Sequence, residues 1–307
     1  ALVGRHQALG QELDLEFCAK NDIGVVRRIT GGGAIFLDPG QLGWELAVDR
    51  ATLGITSLPD LTRTICEAAA EGISRLGVEA RYRPRNDIEV SGRKISGTGG
   101  FFDGNTLFFK ATVLVDMNPR LMVSALRVPR ANLEKHELDA AENRVVTLRE
   151  LMGDDTRPLA EIQSALAAAF SERFSLEARP GDLEPSEREW ALAFLDEEIG
   201  TAEFIHGVDE PEDARGVLSG QKTSAGGTVT VYLRLEGPAQ NRVREALVTG
   251  DFFVTPPRII YDLESRLRGE FLENLEPVIR SFFDQSEVEV LSVSHDDMIA
   301  AFREALK

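Results

Sequence analysis

Two stretches of the chain set cations beside glycines in a way that could handle an acidic ligand. The first runs Arg27-Arg28-Ile29-Thr30-Gly31-Gly32-Gly33-Ala34-Ile35-Phe36, after the apolar Ile23-Gly24-Val25-Val26. Consecutive glycines leave backbone N–H groups unshielded, so an anion or a flat ligand can approach the main chain closely. The paired arginines add forked donors suited to phosphate or carboxylate. A hairpin turn beside a solvated arginine pair would carry the same letters. The second stretch runs Arg85-Asn86-Asp87-Ile88-Glu89-Val90-Ser91-Gly92-Arg93-Lys94-Ile95-Ser96-Gly97-Thr98-Gly99-Gly100. Ser91-Gly92 reads as a turn, which places Lys94 just inside the following strand among small residues. An ammonium there could hold a carboxylate and neutralise charge developing on a phosphate. With Arg81, Arg83, Arg85 and Arg93 it forms a basic cluster that, read alone, is equally a solvated hairpin.

Competing chemistries fail on the letters. No Gly-Lys dipeptide occurs, so the Walker A phosphate loop is absent, and neither glycine cluster fits G-x-G-x-x-G. No G-x-S-x-G elbow is present. Ser91…Lys94 and Ser219…Lys222 match the Ser-x-x-Lys of serine acyl-enzymes, but Gly92 and Gly220 spoil the helical turn that chemistry requires. Cys18 and Cys66 are too few for a disulfide framework and point to a reducing cytoplasm. His6, His136, His206 and His295 lie far apart, outside any metal-binding pattern.

The elements that must position these motifs follow from periodicity. From Thr62 to Leu76, Ile65, Ala69, Ile73 and Leu76 share a helical face, with Gly77 as a stop. Leu107 to Val115 alternates as a strand buried on at least one side, with Leu107, Phe109, Ala111, Val113 and Val115 together. Thr228 to Glu236 alternates as a half-solvated antiparallel strand. After it a helical stretch is expected from Pro238 to about Val248, then a strand at Asp251–Val254, then helices near Ile259–Leu267, Leu275–Phe283 and Asp297–Ala305. Ala178 to Ser186 reads as a linker between two domains.

The formal net charge is −17, a surface that repels phosphate polyanions and anionic lipid and so argues against nucleic-acid or membrane partners. It is unevenly spread along the chain. Residues 1–180 hold 22 Lys+Arg against 25 Asp+Glu, whereas 181–307 hold 12 against 26. No apolar run reaches the roughly 18 residues of a transmembrane helix, and a monomer is the default expectation.

At the two motifs the sequence resembles the lipoate–protein ligase family, within the wider biotin/lipoate protein ligase group. The family carries Arg-Arg-x-x-Gly-Gly-Gly-Ala-hydrophobic-Phe, here Arg27 to Phe36 followed by Asp38 and Gly40. It also carries an Asn-Asp pair ahead of Gly-x-Lys-hydrophobic-x-Gly, here Asn86-Asp87 and Gly92-Arg93-Lys94-Ile95-Ser96-Gly97. The opening Leu2-Val3-Gly4-Arg5-His6-Gln7 fits, Arg144-Val145-Val146-Thr147-Leu148 resembles the close of the catalytic domain, and Gly227 to Gly269, with Gly250-Asp251-Phe252-Phe253, resembles the accessory domain of the longer ligases.

The resemblance implies an α/β (α+β) fold: a mixed β-sheet with flanking helices over residues 1–180 and a small α+β accessory domain over 187–307. It also implies a strand and a helix ahead of Gly4-Arg5-His6-Gln7 that this sequence lacks. By activity it implies a ligase that condenses lipoate or octanoate with Mg-ATP to an acyl-adenylate, then passes the acyl group to a lysine of a lipoyl carrier domain. Lys94 is then the catalytic residue, lying between the acyl carboxylate and the α-phosphate. Arg28 would contact phosphate. Gly31, Gly32, Gly33, Ala34, Ile35, Phe36 and Gly97 would line the lipoyl-adenylate, and Asn86 and Asp87 would hold the nucleotide, Asp87 also its Mg2+. The carrier would be a 2-oxoacid dehydrogenase subunit, the glycine-cleavage carrier or another lipoyl protein.

Two departures stand out. The family's His-Asp is Leu37-Asp38 here, and its His-Gly-Thr is Lys110-Ala111-Thr112, which makes Lys110 and Thr112 a variant site. Two alternatives share the resemblance. One is an ATP-independent octanoyl or lipoyl transferase, which uses a cysteine after the lysine loop; no cysteine follows Cys66. The other is a non-catalytic lipoyl-adenylate or carrier-binding homologue. Because lipoyl carriers are usually acidic, the near-neutral segment 1–180 is expected to offer a locally positive entrance at Arg81–Lys94, with the acidic surplus on the accessory domain.

Overall fold

The computed structural model describes residues 1–55, 57–84, 86–127, 144–211, 213, 215–286, 288–290 and 292–307. Arg85 and His136 lie outside the described residues. The strands used below are β1 (Leu2–Val3), β2 (Val26–Arg27), β3 (Gln41–Asp49), β4 (Ala80–Arg83), β5 (Asp87–Val90), β6 (Arg93–Asp103), β7 (Thr106–Leu114), β8 (Val217–Ser224), β9 (Gly227–Glu236) and β10 (Arg242–Gly250). The chain divides into two compact units, Ile35–Glu198 and Ala1–Ala34 with Ile199–Lys307. Packing therefore groups the chain differently from the expected linear division at 180 and 187: the first 34 residues belong with the C-terminal part.

In the Ile35–Glu198 unit, five strands form an antiparallel sheet in the order β3-β7-β6-β5-β4. One face is covered by the Leu58–Ser74 helix, which packs on the Leu159–Phe174 helix. The first of these starts at Ser57, whose hydroxyl accepts from the Asp60 N–H, and Pro59 fits its first turn. Ile65, Ala69 and Ile73 are buried as their spacing predicts, and Gly77 turns the chain out at φ +107°. β7 buries Leu107, Phe109, Ala111 and Val113 toward these helices, as alternation predicts.

In the other unit, β10-β9-β8 form a second antiparallel sheet, and β1 pairs parallel with β2. Helices Ile259–Leu267, Leu275–Gln285 and His295–Ala305 stand where they are expected. Val229, Val231 and Leu233 share a core with Ile260, Leu263 and Phe302 from the helices. The helix expected from Pro238 to Val248 is instead β10, paired with β9 from Arg242 to Gly250. A bulge between Val243 and Glu245 breaks the two-residue alternation, and Arg, Glu, Ala and Leu at 244–247 are good helix formers, so both local signals favoured a helix that pairing overrides. The strand expected at Asp251–Val254 shrinks to Val254–Thr255, with Phe252 fully buried.

Grouped by packing, the charge asymmetry disappears. The Ile35–Glu198 unit holds 19 Lys+Arg against 28 Asp+Glu, and the other unit 15 against 23, nets of −9 and −8. The acidic surplus placed on the accessory part splits because residues 181–198, with 1 basic and 7 acidic side chains, belong to the five-stranded unit.

Candidate active site

Lys94 is presented by a tight hairpin. Ser91 and Gly92 both have positive φ, +50° and +80°, the pair of left-handed residues that a two-residue turn between twisted strands requires. Just beyond the turn a bulge intervenes: Glu89 faces Lys94 while Ile88 already faces Ser96, leaving Ile95 extra on β6. Bulges re-aim side chains, and here Ile95 is buried while Lys94 reaches the face away from the helices. The lysine's backbone is fixed from its other side by the Arg144–Val146 segment: Lys94 N–H donates to Arg144 O (2.8 Å), and Val146 N–H donates to Lys94 O (2.9 Å).

The side chain lies across Gly97. A Cβ at that position would sit 2.8 Å from both Cε and Nζ of Lys94, so the glycine is what lets the ammonium lie flat on the sheet. Nζ is 2.7 Å from Oδ1 of Asp87, which is the cross-strand partner of Gly97, and Lys94 keeps 36% side-chain exposure. Asp87 Oδ2 pairs with Arg83 (2.6 Å), and Glu89 with Arg81 (2.9 Å), while Arg93 turns away to Glu150. The expected positive entrance is thus largely neutralised: Arg81, Arg83 and Lys94 share Asp87 and Glu89. Asn86 is stapled to Thr98, its side-chain amide donating to Thr98 O and its own carbonyl accepting from Thr98 Oγ1 (2.7 Å).

The register defines the face on which Lys94 works. Thr98, whose hydroxyl meets the Cys66 thiol of the Leu58–Ser74 helix at 3.5 Å, points to the helices. Gly97 and Gly99 therefore point away, together with Lys110, Thr112, Glu45 and Gly43, which pair across β7 and β3. Nothing lies within 4 Å of where a Gly43 Cβ would stand, so the floor is open there. Lys110 sits directly opposite Glu45. A cavity of about 520 Å³ exists in this unit, but it lies under β3 against the Leu159–Phe174 helix, lined by Leu42, Trp44, Leu46, Leu166 and Phe170, on the side of the sheet away from Lys94. Among the described residues no cluster of three or more His, Cys, Asp or Glu is placed to hold a metal.

The glycine loop behaves differently. Arg28 is 9% exposed and spends its guanidinium on its own loop: Nη2 donates to Gly31 O (2.8 Å) and Gly33 O (2.7 Å), Nε to Thr30 Oγ1 (3.1 Å) and Nη1 to Leu2 O (3.3 Å). Arg27, 4% exposed, donates to the carbonyls of Gly4, Arg5, Gln7, Phe204, Ile205 and Val208. Burial lowers both arginines to about 10, which still leaves them charged at neutral pH, their cations solvated by carbonyl dipoles instead of carboxylates. Two of the three glycines are required by packing. A Cβ on Gly31 would stand 2.3 Å from Phe252 O and one on Gly32 2.3 Å from the Phe253 ring, and Gly32 N–H already donates to Phe252 O (2.9 Å). Gly33 alone is exposed with an unobstructed approach. Ala34 ends this unit, and Ile35 and the buried Phe36 open the other. The partners that claim these glycines are in the Gly250-Asp251-Phe252-Phe253 run, a motif visible in the sequence whose contact with the loop was not.

Both thiols are buried and free, and burial raises both, Cys66 to about 12. Neither supplies a thiolate.

Both motifs fall within the span matched by a known family. Residues 1–171 fit the model of the lipoyl protein ligase A/B catalytic domain. The chain belongs to that family. Among curated relatives, it is 32% identical over 165 residues to the lipoate-protein ligase LplJ of Bacillus subtilis, a match covering 54% of this chain and 48% of that protein, so the likeness spans about half the relative's length. It is 26% identical over 212 residues to the octanoyltransferase LipM of Kyrpidia tusciae, covering 62% and 77%. Among solved structures, an archaeal bipartite lipoate protein ligase described with its E2 lipoyl domain, from Thermoplasma acidophilum, superposes with a TM-score of 0.61 at 26% identity, covering 69% of this chain and 81% of that one.

Proposed function

We propose that this protein is an ATP-dependent lipoate–protein ligase, which joins lipoate or octanoate to a lysine of a lipoyl carrier domain through an acyl-adenylate. The observation that carries the reading is the Lys94 ammonium, held over Gly97 and against Asp87 on an open sheet face, within a chain of the lipoyl-ligase family. A half-exposed lysine with one carboxylate partner can exchange that partner for an incoming anion at little cost. Bound to the acyl carboxylate, it orients the attacking oxygen; beside the α-phosphate, it offsets the charge that builds during attack and again when the carrier amine displaces AMP.

Asp87 is the residue that would meet the nucleotide's Mg2+. A single protein carboxylate suits an ion held mainly by substrate phosphates and water, and Asp87 lies on the Lys94 face. Magnesium would supply charge neutralisation of the phosphates. Asn86, tied to Thr98, fixes the hairpin that carries Asp87. The carrier is a lipoyl domain, as the Thermoplasma relative's E2 partner suggests.

The transferase reading, prompted by the octanoyltransferase relative, requires a nucleophilic thiolate. Cys66 is buried and held near 12, and Cys18 is also raised and buried, so the ligase reading is the better supported. Pyrophosphate exchange into ATP, assayed with lipoate and with octanoate, followed by acyl transfer to a panel of apo lipoyl domains, tests it. Acid-dependent exchange is expected; its absence with both acids defeats the proposal.

A further inference from the structure

The glycine loop is held from two sides, and one carboxyl group stands where the two sides meet. On one side Gln7 Oε1 accepts from the Gly4 N–H (2.7 Å), and Gly4 lies so close to the loop that a Cβ on it would stand 2.0 Å from Gly32 O. On the other side the Gly250–Phe253 run reaches the loop. Phe252 O accepts from the Gly32 N–H (2.9 Å), the Phe253 ring backs Gly32, and Asp251 Cβ is 3.9 Å from where a Gly33 Cβ would be. The run is anchored by Gly250 N–H donating to His6 O (2.9 Å), by Phe252 stacking on His6 (5.2 Å, 12°) and by Phe253 N–H donating to Ser292 Oγ (2.9 Å).

Glu12 closes the helical turn Leu9–Glu12. Its half-buried carboxyl meets the Gln7 side chain and faces the carboxylate of Asp251. Asp251 is itself fixed, because it accepts from the Thr228 N–H and a Cβ on Gly227 would stand 2.7 Å from its Oδ1. The other ionisable groups bonded to this turn are acidic too: Asp209 accepts from the Gly10 N–H, and Glu210 and the Tyr232 hydroxyl both accept from Gln11. The guanidiniums of Arg5 and Arg27 bear on His6 instead. Burial first and Asp251 second raise the Glu12 carboxyl to about 7, and His6, lowered to about 3, stays neutral and supplies no compensating cation.

We infer that Glu12 and Asp251 form a proton-controlled latch on the glycine loop. Protonated, Glu12 tolerates Asp251 beside it, and the Gly250–Phe253 run stays against Gly32. Deprotonated, two carboxylates face each other with too little water to solvate both, and the run withdraws from the loop. The inference rests on the ligase reading, in which Gly33 lines the acyl-adenylate, and adds control by a proton. Because the Glu12 carboxyl is raised in the folded protein, stability falls as pH climbs from its ordinary 4.5 to about 7, and the closed latch is lost through the upper value. One pH unit either side of that value, the closed fraction is about nine-tenths and about one-tenth, so apparent ligand affinity falls about tenfold.

The test is pyrophosphate exchange with lipoate and ATP at about pH 6 and about pH 8 on the full chain and on Glu12→Gln, Asp251→Asn and Glu264→Gln. Glu264 is the control, a second carboxyl of this unit raised to about 7 that accepts from the Val248 N–H (2.7 Å), upstream of the run. Expected is a KM for lipoate about tenfold higher at the upper pH in the unaltered protein and in Glu264→Gln, a KM that keeps its low-pH value in Glu12→Gln and Asp251→Asn, and a kcat that moves alike in all four. Hydrogen exchange at the Gly32 N–H reads the latch without turnover: its protection should fall with pH in the unaltered protein and hold in Glu12→Gln. A step that survives Glu12→Gln, a step that Glu264→Gln also abolishes, or no step in the unaltered protein overturns the inference and leaves the ligase reading intact. Should Glu12→Gln not melt cooperatively, Asp251→Asn decides alone. The expected protection pattern in a protein that activates no acid supports the latch and removes the ligase reading.

Discussion

The lysine hairpin and the glycine loop look alike as strings, each a cluster of cations run into glycines, yet they do opposite work. Around Lys94 one glycine, Gly97, makes room for a side chain, and the cation keeps an exchangeable carboxylate partner on an open face. Around Arg27 and Arg28 the glycines make room for backbone and aromatic groups of Phe252 and Phe253, and the cations are consumed by carbonyls of their own loop and of residues 204–208. The first region is built to change partners, the second to hold a shape. A cation's function thus follows from whether its donors are already spent.

Lys94→Ala gives the largest effect. Removing a preorganised charge from developing anionic density costs about 10²–10³-fold in rate, so pyrophosphate exchange should fall by that much. The melting temperature should move little, because the Lys94–Asp87 pair is partly exposed and such pairs contribute about 0–1 kcal/mol. Full activity in the variant would place Lys94 outside the mechanism.

Arg27→Ala should invert that pattern. It strips the donors from six backbone carbonyls around a buried site, and each acceptor left unpaired costs about 1–3 kcal/mol. Some of those carbonyls have second donors, as Val208 O has from Leu9 N–H, so a loss of at least about 3 kcal/mol is expected in denaturant unfolding. Should Arg27→Ala unfold at the unaltered midpoint while losing activity, the contrast between the two regions collapses, since the arginine would then act on ligand.

Gly97→Ala sharpens the comparison from the glycine side. The new methyl would press on Cε and Nζ of Lys94, the flexible end of a side chain, so the fold should survive while the ammonium is pushed off its place. About a tenfold loss of exchange activity, set by misplacement of one catalytic charge, with an unchanged melting temperature, is the expected outcome. Substituting Gly32 instead, whose Cβ would strike the Phe253 ring at positive φ, should cost stability.

How much of this could be read from the letters also divides along the same line. The hairpin was legible because its determinants are local: Ser91-Gly92 fixes the turn, and alternation fixes the faces of β7. The Ile95 bulge was not legible, though Lys94 depends on it for its aim, and the bulge in β10 hid a strand behind a helix-like composition. Contacts across large sequence separation stayed invisible. Nothing near Arg27 announces that residues 204–208 will claim its donors, nor does the glycine triplet announce Phe252 and Phe253, some 220 positions away. Charge counted along the chain misled for the same reason, because the acidic residues 181–198 fold with a unit other than the one their position suggests, while residues 1–34, also regrouped, carry 4 Lys+Arg against 4 Asp+Glu.

The smallest effect is expected at Cys66, and it bears on which chemistry the hairpin serves. The thiol is fully buried under β6, against Thr98 on the helix side of the very strand whose other face carries Gly97. Burial is the leading cause of its rise to about 12, with Asp87 and Glu67 adding to it, so at pH 7 to 9 it stays a thiol and never becomes the nucleophile a transferase needs. Cys66→Ala removes one sulfur from a packed site, which should cost about 1 kcal/mol of stability and leave acid-dependent pyrophosphate exchange within about twofold of the unaltered protein. Complete loss of acyl transfer in a Cys66→Ala protein that still melts cooperatively would mean that the helix side of β6 opens during turnover, and the division of labour between the two faces of this strand would have to be redrawn around a thioester.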